Sequence, residues 1–326
     1  MFFMVLVMCR LVAFSADTTR IRVFKNHISL AAHLTQINLN TILENDQEKH
    51  RIEYNTATAT RLGLSFDYRW LAFELFTHLP YNQNNREGST KNSGIYGRIN
   101  KSRFWANVIY QRFSGFYWNN PDLLSREAAG GFPKRADIVN RLFQANAYYV
   151  FRPDKFSNMA AQGENEWQLK SGGSFFAGVG FYSNIFSADT SIIPGPERVY
   201  FPEHQYAREI IARSYVLSGG YAHTFVVRKK IYAALYLAPG LSRFTAINKN
   251  EDDTRYSVKG EWAFRLESKI SVGYNSGRYF GGVMFSSFLN NQDLGTGTSF
   301  SYGFNTFRLY FGRRFQLQNQ LGLLGL

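Results

Sequence analysis

Between Tyr256 and Tyr274 the chain alternates with period two for nineteen residues. Even positions read Tyr256, Val258, Gly260, Trp262, Phe264, Leu266, Ser268, Ile270, Val272, Tyr274, while the odd positions carry Lys259, Glu261, Arg265, Glu267 and Lys269. A helix would scatter those charges around its circumference. A strand puts them all on one face. The fold must therefore supply one apolar and one ionised surface along a single long strand.

The pattern recurs. Leu62, Leu64 and Phe66 alternate with Arg61, Gly63, Ser65 and Asp67; Leu71, Phe73 and Leu75 with Ala72, Glu74 and Phe76. Period two predicts twelve strands, near 27–37, 52–66, 69–79, 94–100, 104–115, 140–151, 157–182, 212–227, 231–245, 255–274, 277–289 and 300–317. Connections after odd-numbered strands are long (38–51, 80–93, 116–139, 183–211, 246–254, 290–299). Those after even-numbered strands are short (67–68, 101–103, 152–156, 228–230, 275–276). A soluble sandwich has no reason to sort its connections by parity. A single up-and-down antiparallel transmembrane β-barrel with a periplasmic N-terminus does. The longest loop, 183–211, is expected to fold over the mouth.

Composition narrows the class. Thirty Phe, 20 Tyr and 5 Trp against 8 Pro exclude a disordered chain, a collagen and a coiled coil. No apolar run reaches the roughly 18 residues that a membrane helix needs. Met1 to Ser15 reads as an export leader, with an apolar core at Phe2 to Met8 and a small-x-small site at Ala13-Phe14-Ser15. Arg10 interrupts that core, and no basic residue precedes it. The one cysteine, Cys9, falls inside the leader, so a chain cleaved after Ser15 has no thiolate chemistry, Cys–zinc site or disulfide. The expected organisation is a leader (1–15), a periplasmic segment (16–26), the barrel (27–317) and a C-terminal extension (318–326).

Alternation alone does not say which face meets lipid. The polar faces are rich in Gly, Ser, Asn and Gln, which suits a crowded wet interior. Aromatics recur near strand ends (Trp70, Trp118, Tyr148, Trp167, Tyr274), where interfacial girdles belong. Slipping the 255–274 strand by one residue would turn Arg265, Glu267 and Lys269 to lipid, at roughly 2–4 kcal/mol for each basic group at the midplane. The membrane needs only roughly 9–11 tilted residues, so 264–274 is placed in the bilayer and 255–263 beyond it. Lys259, Glu261, Arg265, Glu267 and Lys269 then face the lumen. The last strand ends Tyr310-x-Gly312-x-x-Phe315-x-Leu317, similar to the signal read by the barrel assembly machinery, although nine residues follow it.

A second stretch carries a family resemblance. Lys155-Phe156-Ser157, Ala160-Ala161, Glu166-Trp167-Gln168 and Lys170-Ser171-x-Gly173-Ser174 resemble the hallmark of an outer-membrane barrel family of Bacteroidetes-type bacteria, domain of unknown function 4421. Gly115-Phe116-Tyr117, Arg135-x-Asp137 and Tyr149-Val150-Phe151 flank it in the same likeness. The chain departs at Gln162 and Glu164, where an aromatic and a glutamine are expected. The resemblance implies barrel, export and outer membrane, and implies no activity. By parity, Gln162, Glu164, Glu166, Gln168, Lys170 and Ser174 form a polar ladder along one strand, expected to join the lumen network as packing rather than as a solute path.

Dedicated chemistry is sparse. The six histidines show no metal-ligand spacing, and no Gly-rich phosphate loop is present, so no cofactor or metal is expected. His27-x-Ser29 has the spacing of a strand-borne base and nucleophile, but it starts a strand and no third group stands out. Net charge is +13, with Arg20, Arg22, Lys25, Lys101, Arg103, Arg152, Lys155 and Arg228-Lys229-Lys230 at one end of the barrel. No nucleic-acid reading module accompanies them. The expected partners are outer-membrane lipid and lipopolysaccharide, the assembly machinery, and a periplasmic or envelope protein. Three roles fit: a structural or accessory barrel of an envelope complex, a narrow porin-like channel, or a lipid-modifying enzyme. The charged lumen favours the first.

Overall fold

The computed structural model describes residues 19–79, 87–122, 125–126, 129–162, 165–294 and 297–317. The leader, Glu164 and the extension 318–326 lie outside the described residues. Among the described residues fifteen strands form, in the order β1 (Ile21–Val23), β2 (His27–Asn45), β3 (His50–Asn55), β4 (Ala59–Tyr68), β5 (Leu71–His78), β6 (Lys91–Lys101), β7 (Phe104–Trp118), β8 (Lys134–Val150), β9 (Glu166–Gln168), β10 (Gly172–Ser187), β11 (Ala207–Val227), β12 (Ile231–Asn250), β13 (Arg255–Asn275), β14 (Tyr279–Asp293) and β15 (Thr298–Gln316). All but β1 and β9 belong to one antiparallel sheet, which closes when β15 pairs with β2 from Thr298↔Asn45 to Gln316↔His27. Taken as one bent strand, β3 and β4 make the wall a twelve-stranded barrel. The hairpin β5–β6 is short, and β3 closes the wall above it by pairing Tyr54 and Asn55 with β7.

A band of outward apolar side chains encircles the end nearer the N-terminus. Leu30 and Leu34 on β2, Leu64 on β4, Leu75 on β5, Val108 on β7, Leu235 and Leu237 on β12, and Phe307, Leu309 and Phe311 on β15 are all exposed. Phe264 and Ile270 are more than half exposed, while Arg265 between them is 3% exposed. Closure satisfies the backbone within the ring, and the band supplies the lipid-facing surface of a membrane-spanning barrel.

The walls run further than the sequence suggests. Residues 38–45 continue β2, 116–118 continue β7, 134–139 open β8, 183–187 continue β10, 207–211 open β11 and 246–250 continue β12. Beyond the membrane the alternation persists with its sense reversed. On β2, Leu30 and Leu34 point out, but Ile37, Leu39 and Leu43 point in and are almost fully buried. On β13 a bulge opposite β12, between Arg243 and Thr245, shifts the register. Val258 therefore packs on the inner core, and even parity no longer marks the outside there.

One connection breaks the parity of loop lengths. Instead of a turn at 152–156, the described residues of 151–171 fold back as a 3-10 turn, Ala160–Gln162, and β9. β9 pairs with β1, Ile21↔Gln168 to Val23↔Glu166, outside the main sheet. The strand expected over 157–182 begins only at Gly172.

Candidate functional site

From the N-terminal mouth to the loop end, the interior has three levels. At the mouth, β1, β9 and the residues between β8 and β9 form a plug. Phe24 N–H donates to Asn165 O (2.9 Å), and Leu169 N–H donates to Arg20 O (2.7 Å). Arg314 on β15 stacks on Phe24 (4.4 Å) and Phe280 (4.7 Å), and donates to Asn275 Oδ1 at 2.9 Å. Such cation–ring contacts stabilise a desolvated guanidinium.

The residues that resemble the family hallmark hold this plug. Ser157 N–H donates to Gln168 Oε1 (3.1 Å), Ser157 Oγ donates to Glu166, and Ala160 N–H donates to Ser157 Oγ (2.9 Å). Gln168 Nε2 donates to the carbonyl oxygen of Lys155 (2.9 Å). Phe156 is buried against Trp105, Tyr148, Val150 and Phe176. Ser271 Oγ donates to Ala161 O, Val226 N–H donates to Ser171 Oγ, and Arg152 N–H donates to Ser174 Oγ. Gly172 and Gly173 admit close approaches: an added Cβ would lie 2.2 Å from Lys155 O and 2.4 Å from the Tyr221 hydroxyl, respectively. The expected polar ladder is thus corrected. Gln162 closes the 3-10 turn, Glu166 and Gln168 sit on β9, Lys170 is an exposed turn residue, and Ser174 alone is on a wall strand. Shared parity misled because a strand at 166–168 finds its partner 145 residues away rather than in its neighbour.

Between the plug and the feet of β6 and β7 lies a cleft of about 920 Å³. Trp70, Phe104, Trp105 and Phe156 form its apolar wall, with Arg22 and Lys101 on its rim.

The middle level is charged. Arg308 of β15 reaches Glu74 of β5 with two bonds of 3.1 Å, and His33 Nε2 lies 3.4 Å from the same carboxylate. Gly63 leaves room for that imidazole, since a Cβ there would lie 1.8 Å from His33 Cε1. Arg98 pairs with Asp67 at 3.3 Å. The space among these groups is about 40 Å³, room for a water or two. On the facing wall Glu267 and Lys269 pair at 2.9 Å, Lys269 lies over Tyr236, and Arg265 stacks on Tyr182 (3.8 Å) and Phe288. The side chains of Lys259 and Glu261 lie outside the described residues. Lumen cations are matched by rings and amides as well as carboxylates: Arg61 lies 4.0 Å above Phe76 and donates to Asn92 and Gln111. Arg61, Asp67 and Glu74 show their inward parity in the sequence, but the contact between Glu74 and Arg308 depends on barrel closure.

The loop level is a hydrophobic core. Ile37, Leu39, Leu43, Ile52, Phe113, Phe186 and Phe300 meet Ile192, Ile193 and Phe201 of the loop 188–206, which folds down into the mouth. Tyr54 hydroxyl donates to Ile192 O (2.5 Å), Asn45 Nδ2 donates to Tyr200 O (2.7 Å), and Ser191 N–H donates to Glu251. Arg135 holds Asp137 through two bonds and also donates to Ser191 O. The Arg135 guanidinium keeps the Asp137 carboxyl below the usual carboxylate range, against the opposing effect of burial.

The remaining candidates are dispersed. Ser29 Oγ donates to Asn165 Oδ1 (2.6 Å) in the plug, and His27 packs edge-on against Phe24, so neither activates the other. Among the described residues no group of three or more His, Cys, Asp or Glu is placed to hold a metal. In the C-terminal motif, Tyr310 faces inward and shares a hydrogen bond with Tyr232, Gly312 lies against Phe280, and Phe315 faces out. β15 ends at Gln316, one residue before Leu317, whose N–H donates to Asn26 O (2.9 Å).

The family model described as domain of unknown function DUF4421 matches residues 15–315. The chain belongs to this family. No curated protein matches the sequence. Solved structures with similarity to this DUF4421 chain include the outer membrane protease OmpT of Escherichia coli (TM-score 0.42, 8% identity, covering 90% of this chain and 98% of that one). The toluene transporter TodX of Pseudomonas putida aligns at TM-score 0.31 with 10% identity, covering 88% and 89% of the two chains. The β domain of the Bordetella autotransporter BrkA aligns at 0.36 with 10% identity, covering 88% and 100%.

Proposed function

We propose that this chain is an integral outer-membrane barrel serving as a structural or accessory subunit of an envelope assembly, with a lumen that does not conduct solutes. The observation that supports this is the filling of the interior at all three levels. Apolar loop residues occupy one mouth, a folded plug occupies the other, and ion pairs with stacked guanidinium groups lie between them. A solute path would need those groups hydrated and spaced apart. The face left for a partner is the N-terminal mouth, where the aromatic cleft has a basic rim suited to an acidic envelope protein. Planar-bilayer recording of the purified, folded barrel tests the reading. A flat baseline across the usual voltage range is expected; steady unitary steps would overturn it in favour of the porin-like alternative.

A further inference from the structure

Above the apolar band, the outer face of the barrel is not uniform. Arg112 on β7, Arg141 on β8, Arg213 on β11 and Arg243 on β12 are the first outward polar residues beyond Tyr110, Phe143, Tyr215 and Leu241. Arg112 and Arg141 stand directly opposite each other across β7 and β8. Arg213 faces Thr245 and Arg243 faces Tyr215, which makes the two arginines diagonal neighbours. Ser183 on β10 lies opposite Arg213 and fills the gap in the row. On β15, β2, β4 and β6 the corresponding positions carry Asn305, Gln36, Thr60 and Ser93.

None of the four guanidinium groups has an ion pair or hydrogen bond among the described residues. Like charges directly opposite each other on a sheet destabilise the pair. This contrasts with the lumen, where guanidinium groups meet carboxylates or rings. The arc needs counter-charge from outside the chain, at the height where headgroups begin. Guanidinium groups match phosphate with paired, charge-assisted hydrogen bonds.

We infer that Arg112, Arg141, Arg213 and Arg243 form a binding arc for the phosphate monoesters of a glycolipid headgroup in the leaflet at the loop end. The inference rests on the outer-membrane reading above, which puts phosphorylated glycolipid in that leaflet. The two fail separately. A conducting barrel that retains the lipid sinks the functional reading alone, and a closed barrel that does not retain it sinks the arc alone.

Native mass spectrometry of the detergent-purified barrel titrated with bis-phosphorylated lipid A is the test. Arg112→Gln with Arg141→Gln, and Arg213→Gln with Arg243→Gln, are each expected to weaken retention roughly tenfold, the loss of a paired charge-assisted contact. Arg112→Lys with Arg141→Lys keeps the charge but not the paired geometry, so retention should fall between the wild type and the glutamine pair. Arg228→Gln, Lys229→Gln and Lys230→Gln, at the opposite rim, should leave it unchanged. Heat-modifiable gel mobility identifies the folded fraction, and only that fraction is scored. Equal retention of dephosphorylated lipid A or of phosphatidylglycerol would overturn the proposal in favour of ordinary interfacial attraction. Displacement of the lipid by millimolar inorganic phosphate would overturn it in favour of a free-anion site.

Discussion

The two halves of β2 obey opposite rules within one continuous strand. Near the N-terminus Leu30 and Leu34 face out while Ser29, His33 and Thr35 face in. Toward the loops Asn38 and Asn40 face out while Ile37, Leu39 and Leu43 face in. β12 does the same, with outward Leu235, Leu237 and Leu241 giving way to Arg243 and Thr245 as inward Phe244 is buried. The pairing of β2 with β15 and of β12 with β11 runs through the crossover without a change of register. What changes is the outside solvent. Hydrocarbon takes the apolar face, leaving the polar face to be satisfied internally. Water lets the apolar face collapse inward. The loop half is thus stabilised as a soluble barrel is, and the membrane half carries a desolvated polar interior that must be paired.

One side chain, arginine, placed in each solvent separates the two halves. Leu39→Arg buries a cation among Ile37, Leu43 and Phe300 with no anion to meet it. A loss on the order of 5 kcal/mol or more is expected. It should read as failure to form the heat-resistant folded band on refolding into lipid vesicles. A folded Leu39→Arg barrel would mean the loop half is wet.

The membrane half should fail through lost pairing instead. Glu74→Gln strands Arg308 and His33 and should cost about 3–5 kcal/mol in urea unfolding from vesicles. Replacing the pair together, Glu74→Leu with Arg308→Met, should recover most of that loss, because packing then replaces ion pairing. If the double variant is no more stable than Glu74→Gln, the pair is not the source of the effect.

Those two outcomes separate what the sequence makes visible from what it hides. Period two reports that a strand has two faces, and for 264–274 the charges on one of them identify the lipid side. It carries no sign, so residues 38–45, with asparagines opposite leucines, read as a loop when they are wall. The parity of Arg265, Glu267 and Lys269 is visible, and the contact between Glu267 and Lys269 follows from their being two apart on one strand. The contact between Glu74 and Arg308 spans 234 residues and exists only because β15 closes on β2. The plug was hidden for the same reason: nothing local to 157–171 announces a partner at 21–23. Compact turns in a chain of alternating residues leave long-range pairing unspecified until the ring is built.

A smaller effect sharpens the position of the crossover. Leu34→Arg turns a cation to lipid and should cost roughly 2–4 kcal/mol. Asn38→Arg, four residues on and also facing out, should stay within about 0.5 kcal/mol. Urea midpoints of the two variants in the same vesicles measure the step. Equal costs would place Asn38 inside the bilayer and move the crossover toward the loops.

The smallest expected effect is local and confined to the loop half, where buried groups are within reach of water. His204 closes the loop 188–206. Its Nδ1 shares a hydrogen bond with the Tyr256 hydroxyl, and Asn248 Nδ2 lies 3.5 Å away. Burial pushes the imidazole below its ordinary value of 6.5, with Glu203 opposing, while burial raises the Tyr256 hydroxyl to about 12 and keeps it a donor. A histidine whose folded value lies below its unfolded one binds fewer protons when folded. Stability is therefore full above the unfolded value and is lost as pH falls below it toward the folded one. Hydrogen exchange across 188–206, corrected for intrinsic rates, should quicken between about pH 7.5 and 5.5, the range in which an ordinary histidine charges. Exchange at β1 and β9 should hold steady. His204→Gln keeps a polar partner for Tyr256 without a titrating group, so it should flatten that dependence. If the loop still opens on acidification in His204→Gln, the proton acts elsewhere and the assignment to His204 fails.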